Sequence, residues 1–338
     1  MNQTNLVHGY RPDLVVEDFL IPSDTAGISL HLRNKRAAAQ KAFSAERTIL
    51  MVHGATYSSA SLFDVPLGGR SFMDHLALKG YDVFALDVRG YGGSTRLPEM
   101  DAPPQDSAPL VRTDVAVRDL ASAVGHILER RGIPRLNLVA MSWGGSVAGA
   151  YTAENNDKVV KLALIAPLWL LNTPAPIDAG GALGGYRKVP VLDFRERWLS
   201  AAPEAARASL IPEGWFEQWA EASLATDPQG TVEHPRTMRA VNGPIQDIRD
   251  YWSAGKALYD VNDIRVPVLL VHAEWDRDVT MATTQDLFGS FKRASYRRWV
   301  EIGEGTHMVL LEKNRMQAFD AISQFLTERE THEKLPSS

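Results

Sequence analysis

The segment Leu136-Asn137-Leu138-Val139-Ala140-Met141 reads as a buried strand, and it runs straight into Ser142-Trp143-Gly144-Gly145. A strand that is apolar at nearly every position needs cover on both faces, which points to an interior place in a sheet flanked by helices. The turn at its end is equally restrictive. Where such a strand stops at a sharp turn into a helix, the turn residue is pushed above the sheet edge. Only small residues two places either side then avoid the strained backbone. Ala140 and Gly144 occupy those two places, and Gly145, Ala148 and Gly149 let the adjoining helix pack closely.

The rest of the chain alternates in the same manner. Residues 15–20 and 28–32 read as a leading antiparallel pair around the turn Asp24-Thr25-Ala26-Gly27. Further strands are expected at 48–53, 81–88, 159–166, 266–272 and 296–302. Helices are expected at 71–79, stopped by Gly80, at 111–131, stopped by Gly132 and Pro134, and at 280–290. Met316, Phe319, Ile322 and Phe325 form the core stripe of a last helix. This alternation demands an α/β architecture with a mostly parallel, doubly covered sheet. It stops between 168 and 261, where a glycine-rich stretch at 180–185 and helical patches at 194–201 and 215–225 occur without a strand pattern. The chain therefore divides into a core of 1–167 with 262–338 and an inserted helical cap at 168–261. Five of the eight tryptophans, Trp169, Trp198, Trp215, Trp219 and Trp252, fall in that cap. Most are expected to hold its helices together, and one or two to line a substrate site. The basic residues Arg33, Lys35, Arg36, Lys41 and Arg47 read as a solvated loop between early strands, and Arg187, Lys188, Arg195 and Arg197 as solvated faces of the cap.

Candidate partners for the serine come in a fixed order. The strand at 266–272 leads to Glu274, Asp276 and Asp278, of which Asp276 is the best placed, and Gly303-Glu304-Gly305-Thr306-His307 puts a histidine on a loop before the last helix. The strand at 48–53 ends in His53-Gly54-Ala55-Thr56, and the next one in Asp87-Val88-Arg89-Gly90-Tyr91-Gly92-Gly93-Ser94. With the order Ser, Asp, His, these four motifs resemble the α/β-hydrolase superfamily over nearly the whole chain. The resemblance implies an eight-stranded sheet, Ser142 as nucleophile, His307 as base and Asp276 as its acid. It also implies an oxyanion hole from the amide of Ala55, with Thr56 as the alternative, and that of Trp143. Thr56 joins the expected substrate contacts, and the Trp143 indole is expected beside the acyl or leaving group. His53 and the Asp87 to Ser94 loop are expected to be structural.

A serine at the elbow argues against the dehalogenases and epoxide hydrolases of this fold, which use aspartate there. The Ser-Trp-Gly-Gly run resembles proline iminopeptidases, but their glycine- and proline-rich oxyanion loop is replaced here by His53-Gly54-Ala55-Thr56-Tyr57. The expected reaction is hydrolysis of a small hydrophobic carboxylic ester or lactone. Carbon–carbon bond hydrolysis, acyl transfer and aminopeptidase activity stand as alternatives on the same triad, and a ligand receptor on this scaffold as one of another class. Such chemistry calls for no metal and no organic cofactor. A net charge of -5 speaks against nonspecific nucleic-acid binding. Cysteine is absent, which excludes thiolate chemistry and disulfides. No apolar run of membrane-spanning or signal-peptide length is present, so no membrane partner and a cytoplasmic location are expected. A homodimer would use the cap, and residues 332–338 are expected to fray.

Overall fold

The computed structural model describes residues 13–171, 174–227, 229 and 236–328; the expected fraying at 332–338 lies outside them. Among the described residues are ten strands: β1 (Leu14–Pro22), β2 (Ser29–Ala37), β3 (Thr48–Val52), β4 (Asp82–Asp87), β5 (Leu136–Met141), β6 (Val159–Ile165), β7 (Tyr186–Pro190), β8 (Thr237–Val241), β9 (Val268–Ala273) and β10 (Arg297–Ile302). Eight of them build one sheet in the order β1-β2-β4-β3-β5-β6-β9-β10. β1, β2 and β4 pair antiparallel, and every other neighbour in that sheet is parallel. The helices are α1 (Ser59–Phe63), α2 (Phe72–Leu78), α3 (Thr113–Arg131), α4 (Trp143–Glu154), α5 (Phe194–Ser200), α6 (Glu204–Leu210), α7 (Trp215–Leu224), α8 (Gly243–Asp250), α9 (Met281–Ser290) and α10 (Arg315–Thr327).

The strand pleat sorts the apolar side chains into two layers. Leu50, Val52, Leu138, Ala140, Leu162 and Leu164 face one core with α3 and α4, whereas Ile49, Met51, Val139, Met141, Ala163 and Ile165 face the other with α2 and α10. Truncating any of the buried leucines to Ala costs ~2–5 kcal/mol in such packing. Local signals set the helix ends. The Ser71 hydroxyl accepts from the Asp74 amide while the Asp74 carboxylate accepts from the Ser71 amide, both at 3.0 Å, which starts α2. Gly132, at φ 62°, ends α3.

Two expectations are corrected. Arg33, Lys35 and Arg36 lie on β2 itself. The Lys35 side chain is buried and its ammonium donates to Asp74 at 2.8 Å and also to Asp64, while Arg33 donates to Asp18 at 2.9 Å. Their counter-charges come from distant parts of the chain, so a local reading mistakes them for solvated residues. The segment between β6 and β9 likewise holds an antiparallel ribbon, β7 with β8, beside α5–α8. Each of its strands is five residues long and interrupted by charged residues, which leaves no apolar alternation to recognise. The ribbon is stitched to the core loop before α3 by Leu110 N–H to Gly185 O at 3.0 Å, Gly185 N–H to Pro104 O at 2.7 Å and Gly243 N–H to Leu110 O at 2.8 Å. A Cβ on Gly243 would stand 2.1 Å from the Val111 carbonyl oxygen, so only glycine permits this backbone contact. Among the described residues no helix is long and apolar enough to cross a membrane.

Candidate active site

β5 ends at Met141 and α4 begins at Trp143, leaving Ser142 between them at φ 56°, ψ -124°. A side chain in that backbone region stores on the order of 1–3 kcal/mol, which the surroundings must hold in place. They do so with backbone bonds: Ser142 N–H donates to Ile165 O at 2.9 Å, and Leu168 N–H donates to Ser142 O at 3.2 Å. Gly144 is required because a Cβ there would lie 2.4 Å from the His53 carbonyl oxygen and 2.5 Å from that of Val52. The small residue two places after the serine thus lets α4 rest on the end of β3.

The turn after β9 carries Asp276. One Asp276 oxygen accepts the Asp278 and Val279 amides at 2.9 and 2.8 Å, and the other lies 2.8 Å from His307 Nδ1. A carboxylate cannot donate, so Nδ1 carries a proton and, in the neutral ring, Nε2 is left with its lone pair. Burial disfavours a charged imidazole, but the Asp276 carboxylate, its hydrogen bond and the nearby Asp278 outweigh burial and the opposing charge of Arg197. The His307 pKa is therefore raised above the ordinary 6.5. Glu274 points elsewhere, its carboxylate accepting the Glu304 amide at 2.8 Å. Asp278 pairs with Arg197 at 2.9 Å. Asp276, Asp278 and His307 offer ligand atoms within 4.8 Å of one another. Both Asp276 oxygens are already engaged and Asp278 faces the Arg197 guanidinium, an arrangement that does not favour a resident cation.

Trp143 is the first residue of α4, so its N–H has no acceptor within the helix. The Ala55 N–H donates to no other described backbone group. The Ala55 carbonyl is held from two sides, by Tyr91 OH at 2.7 Å and Arg187 Nη2 at 3.0 Å. His53 is fully buried, donates from Nδ1 to Gly54 O at 2.7 Å and accepts the Val88 amide on Nε2 at 3.1 Å. Burial lowers its pKa and holds it neutral, a loop-shaping residue with no free nitrogen. The Asp87 carboxylate accepts the Ser59 and Gly93 amides at 2.9 and 3.0 Å, so the loop after β4 is a structural brace.

Ser142, His307, Ala55 and Thr56 open on one cavity. Its remaining wall is largely apolar, with Met141, Leu168, Ile177, Phe194, Ile248 and Met308, and Tyr57 beside Thr56. None of the five tryptophans of the insertion is on that wall. Trp198 and Trp219 pack behind Phe194 and Tyr57, with Trp198 Nε1 donating to Glu312 at 2.6 Å. Trp169 donates to Asp286 at 2.9 Å, Trp252 is fully buried, and Trp215 lies under the Arg315 guanidinium at 4.0 Å. The Trp143 indole is also away from the cavity, fully buried with Nε1 donating to Thr113 Oγ1 at 2.8 Å. Thr113 in turn donates to Asp247, which makes the indole a strut between α4 and α8. Arg187 is not a solvated residue either; it reaches Ala55 and Thr56 from β7. Sequence patterning did not single out Tyr57, Phe194 and Ile248 as wall residues. Tyr57 could have been found from its place close after the His-Gly turn.

A sequence model of the alpha/beta hydrolase fold matches residues 47–314, and the chain belongs to that family. Among solved structures it resembles a thermophilic esterase from Thermogutta terrifontis, at 16% identity and TM-score 0.57 over 92% of this chain and 98% of that one. It also resembles a bromoperoxidase from Bacillus anthracis, at 15% identity and TM-score 0.61 over 92% and 100%. A third is the 2-hydroxy-6-oxo-6-phenylhexa-2,4-dienoate hydrolase of Rhodococcus sp. strain RHA1, at 17% identity and TM-score 0.58 over 93% and 99%. At such identities the likeness is one of fold. No curated protein matches the sequence significantly.

Proposed function

We propose that this α/β hydrolase cleaves small hydrophobic carboxylic esters or lactones through an acyl-enzyme on Ser142. The observation that carries the reading is the meeting, on one apolar cavity, of a serine on a strained elbow and a histidine whose Nδ1 proton is held by a buried carboxylate. His307 Nε2 takes the Ser142 proton as Oγ attacks the carbonyl carbon, and the imidazolium formed is stabilised by Asp276. The oxyanion is held by the Ala55 and Trp143 amides, each worth ~3 kcal/mol of barrier in comparable sites. The imidazolium then protonates the leaving alkoxide. Water, deprotonated by the same nitrogen, attacks the acyl carbon and releases the acid. Residues 168–261 act as a lid whose Leu168, Ile177, Phe194 and Ile248 receive the apolar part of the substrate.

Steady-state hydrolysis of p-nitrophenyl esters from acetate to octanoate, by wild type and Ser142→Ala, tests the reading. Wild-type turnover that falls by several powers of ten in Ser142→Ala is expected. No wild-type turnover on any ester or lactone, or equal turnover in both proteins, overturns it.

A further inference from the structure

Arg187, like Arg96 and Arg315, is an interior arginine bonded to neutral oxygens. Arg89 and Arg239 each meet a buried carboxylate. Arg187 meets none among the described residues. Nη1 donates to Val241 O at 2.8 Å and lies 3.4 Å from Asn242 Oδ1, while Nη2 donates to Ala55 O at 3.0 Å and Thr56 Oγ1 at 2.9 Å. One guanidinium therefore joins both strands of the β7–β8 ribbon to the loop that carries the oxyanion donor. The charge is half-buried, and burial works against it, yet arginine stays protonated in any such setting. A buried cation spent wholly on neutral oxygens is a costly way to fasten a loop unless its direction matters.

The geometry gives it a direction. Peptide planarity puts the Ala55 N–H in one plane with the Gly54 carbonyl, which His53 Nδ1 holds at 2.7 Å, and the Thr56 N–H in one plane with the Ala55 carbonyl, so fixing the Ala55 oxygen completes the restraint on both sides of the Ala55 Cα. Tyr91 holds the same oxygen from the core side, and Arg187 holds it from the insertion. Thr56 gains a second role. Its hydroxyl oxygen accepts from the cation, which leaves its proton free to donate, and the residue lines the cavity with Ser142.

We propose that Arg187 is a positioning residue for the oxyanion hole: it locks the Ala55–Thr56 segment in donor geometry from the docked β7–β8 ribbon and turns the Thr56 hydroxyl into a further donor toward the substrate oxygen. The insertion is then part of the catalytic apparatus as well as its cover. Seating of the ribbon and readiness of the hole are one event. This inference rests on the serine-hydrolase reading.

The test compares wild type, Arg187→Met, Arg187→Lys, Thr56→Val and the Arg187→Met/Thr56→Val double variant. Each is measured for kcat and KM on the best p-nitrophenyl ester, for inhibition by a trifluoromethyl ketone that forms a tetrahedral adduct, and for Tm. Arg187→Met is expected to lose on the order of 10–100-fold in kcat, less than the ~10²–10³-fold of removing an oxyanion donor outright, with KM within about threefold. Its affinity for the ketone should fall by the same factor as kcat/KM. Arg187→Lys, a point donor without the fork, should fall between, and the double variant should lose less than the product of the two single losses. A folded Arg187→Met with wild-type kcat and ketone affinity overturns the inference, as does a rise in KM alone. Should Arg187→Met fail to fold, Arg187→Lys and Thr56→Val decide, and unchanged kcat in both overturns it. A wild type that neither hydrolyses esters nor binds the ketone refutes the functional reading itself and this inference with it.

Discussion

Replacing Asp276 by Asn changes one atom type at a position where every bond is accounted for. In the native turn one oxygen accepts the Asp278 and Val279 amides and the other accepts the His307 Nδ1 proton at 2.8 Å. The asparagine oxygen can keep the two backbone bonds, which places its NH2 against Nδ1. Two donors cannot face each other there, so His307 must move its proton to Nε2 and accept on Nδ1. That puts a proton on the nitrogen needed to take one from Ser142. The same trade in a serine triad lowers kcat ~10⁴-fold, or about 5.5 kcal/mol in barrier. Because the turn bonds survive, the variant should fold and unfold within roughly 1 kcal/mol of wild type. Ester hydrolysis at pH 8, paired with denaturant unfolding, measures both quantities. An Asp276→Asn protein that is folded and keeps more than about a tenth of wild-type kcat refutes the assignment, since a loss that small lies far from the ~10⁴-fold drop a wrong tautomer imposes.

Other consequences are open to direct measurement. The raised pKa of His307 means that kcat/KM climbs with pH along a limb whose midpoint lies above 6.5, and Asp278→Asn, which removes one of the charges raising it, should move that limb down. A limb at or below 6.5, or one insensitive to Asp278, contradicts the electrostatic account. By linkage the raised His307 pKa contributes stability that is full below the unfolded value of 6.5 and is lost as pH rises through the folded one. Gly144→Ala forces a methyl to 2.4 Å from a backbone oxygen and should cost ~1–3 kcal/mol or more by denaturant unfolding; an unchanged midpoint contradicts the elbow packing. Trp143→Phe keeps the amide donor and loses only the indole bond to Thr113, so stability should drop by ~1–2 kcal/mol while kcat stays within a few-fold. A collapse of kcat in a well-folded Trp143→Phe shows that the indole does more than brace.

What was legible in the sequence is what depends on neighbours along the chain. The interior strands β3, β4, β5, β6 and β9 are short, almost wholly buried runs whose alternation with helices announced a mostly parallel, doubly covered sheet; the number of eight strands came with the family resemblance. Ser142 was visible because its strain demands small residues two and three places away. The position of Asp276 ahead of His307 was visible for the same reason, as strand-end residues in a fixed order. What stayed hidden depends on partners remote in sequence. Arg187 sits in a run with Lys188 and reads as surface, although its partners are Ala55 and Thr56. Lys35 reads as solvated until Asp64 and Asp74 arrive beside it. The tryptophans mark aromatic density but not its direction, and here the smaller Phe194 and Tyr57 stand between the pair Trp198 and Trp219 and the cavity. β7 and β8 owe their pairing to each other and to the loop before α3, not to any apolar pattern of their own.

The whole mechanism turns on one serine, Ser142, being the group that becomes acylated. Titration with a fluorophosphonate, followed by intact mass and peptide mapping, asks this of the protein itself. One adduct per chain, on Ser142, with esterase activity falling in step with labelling, is the predicted result. Full labelling that leaves activity intact, or an adduct on a different residue, contradicts it.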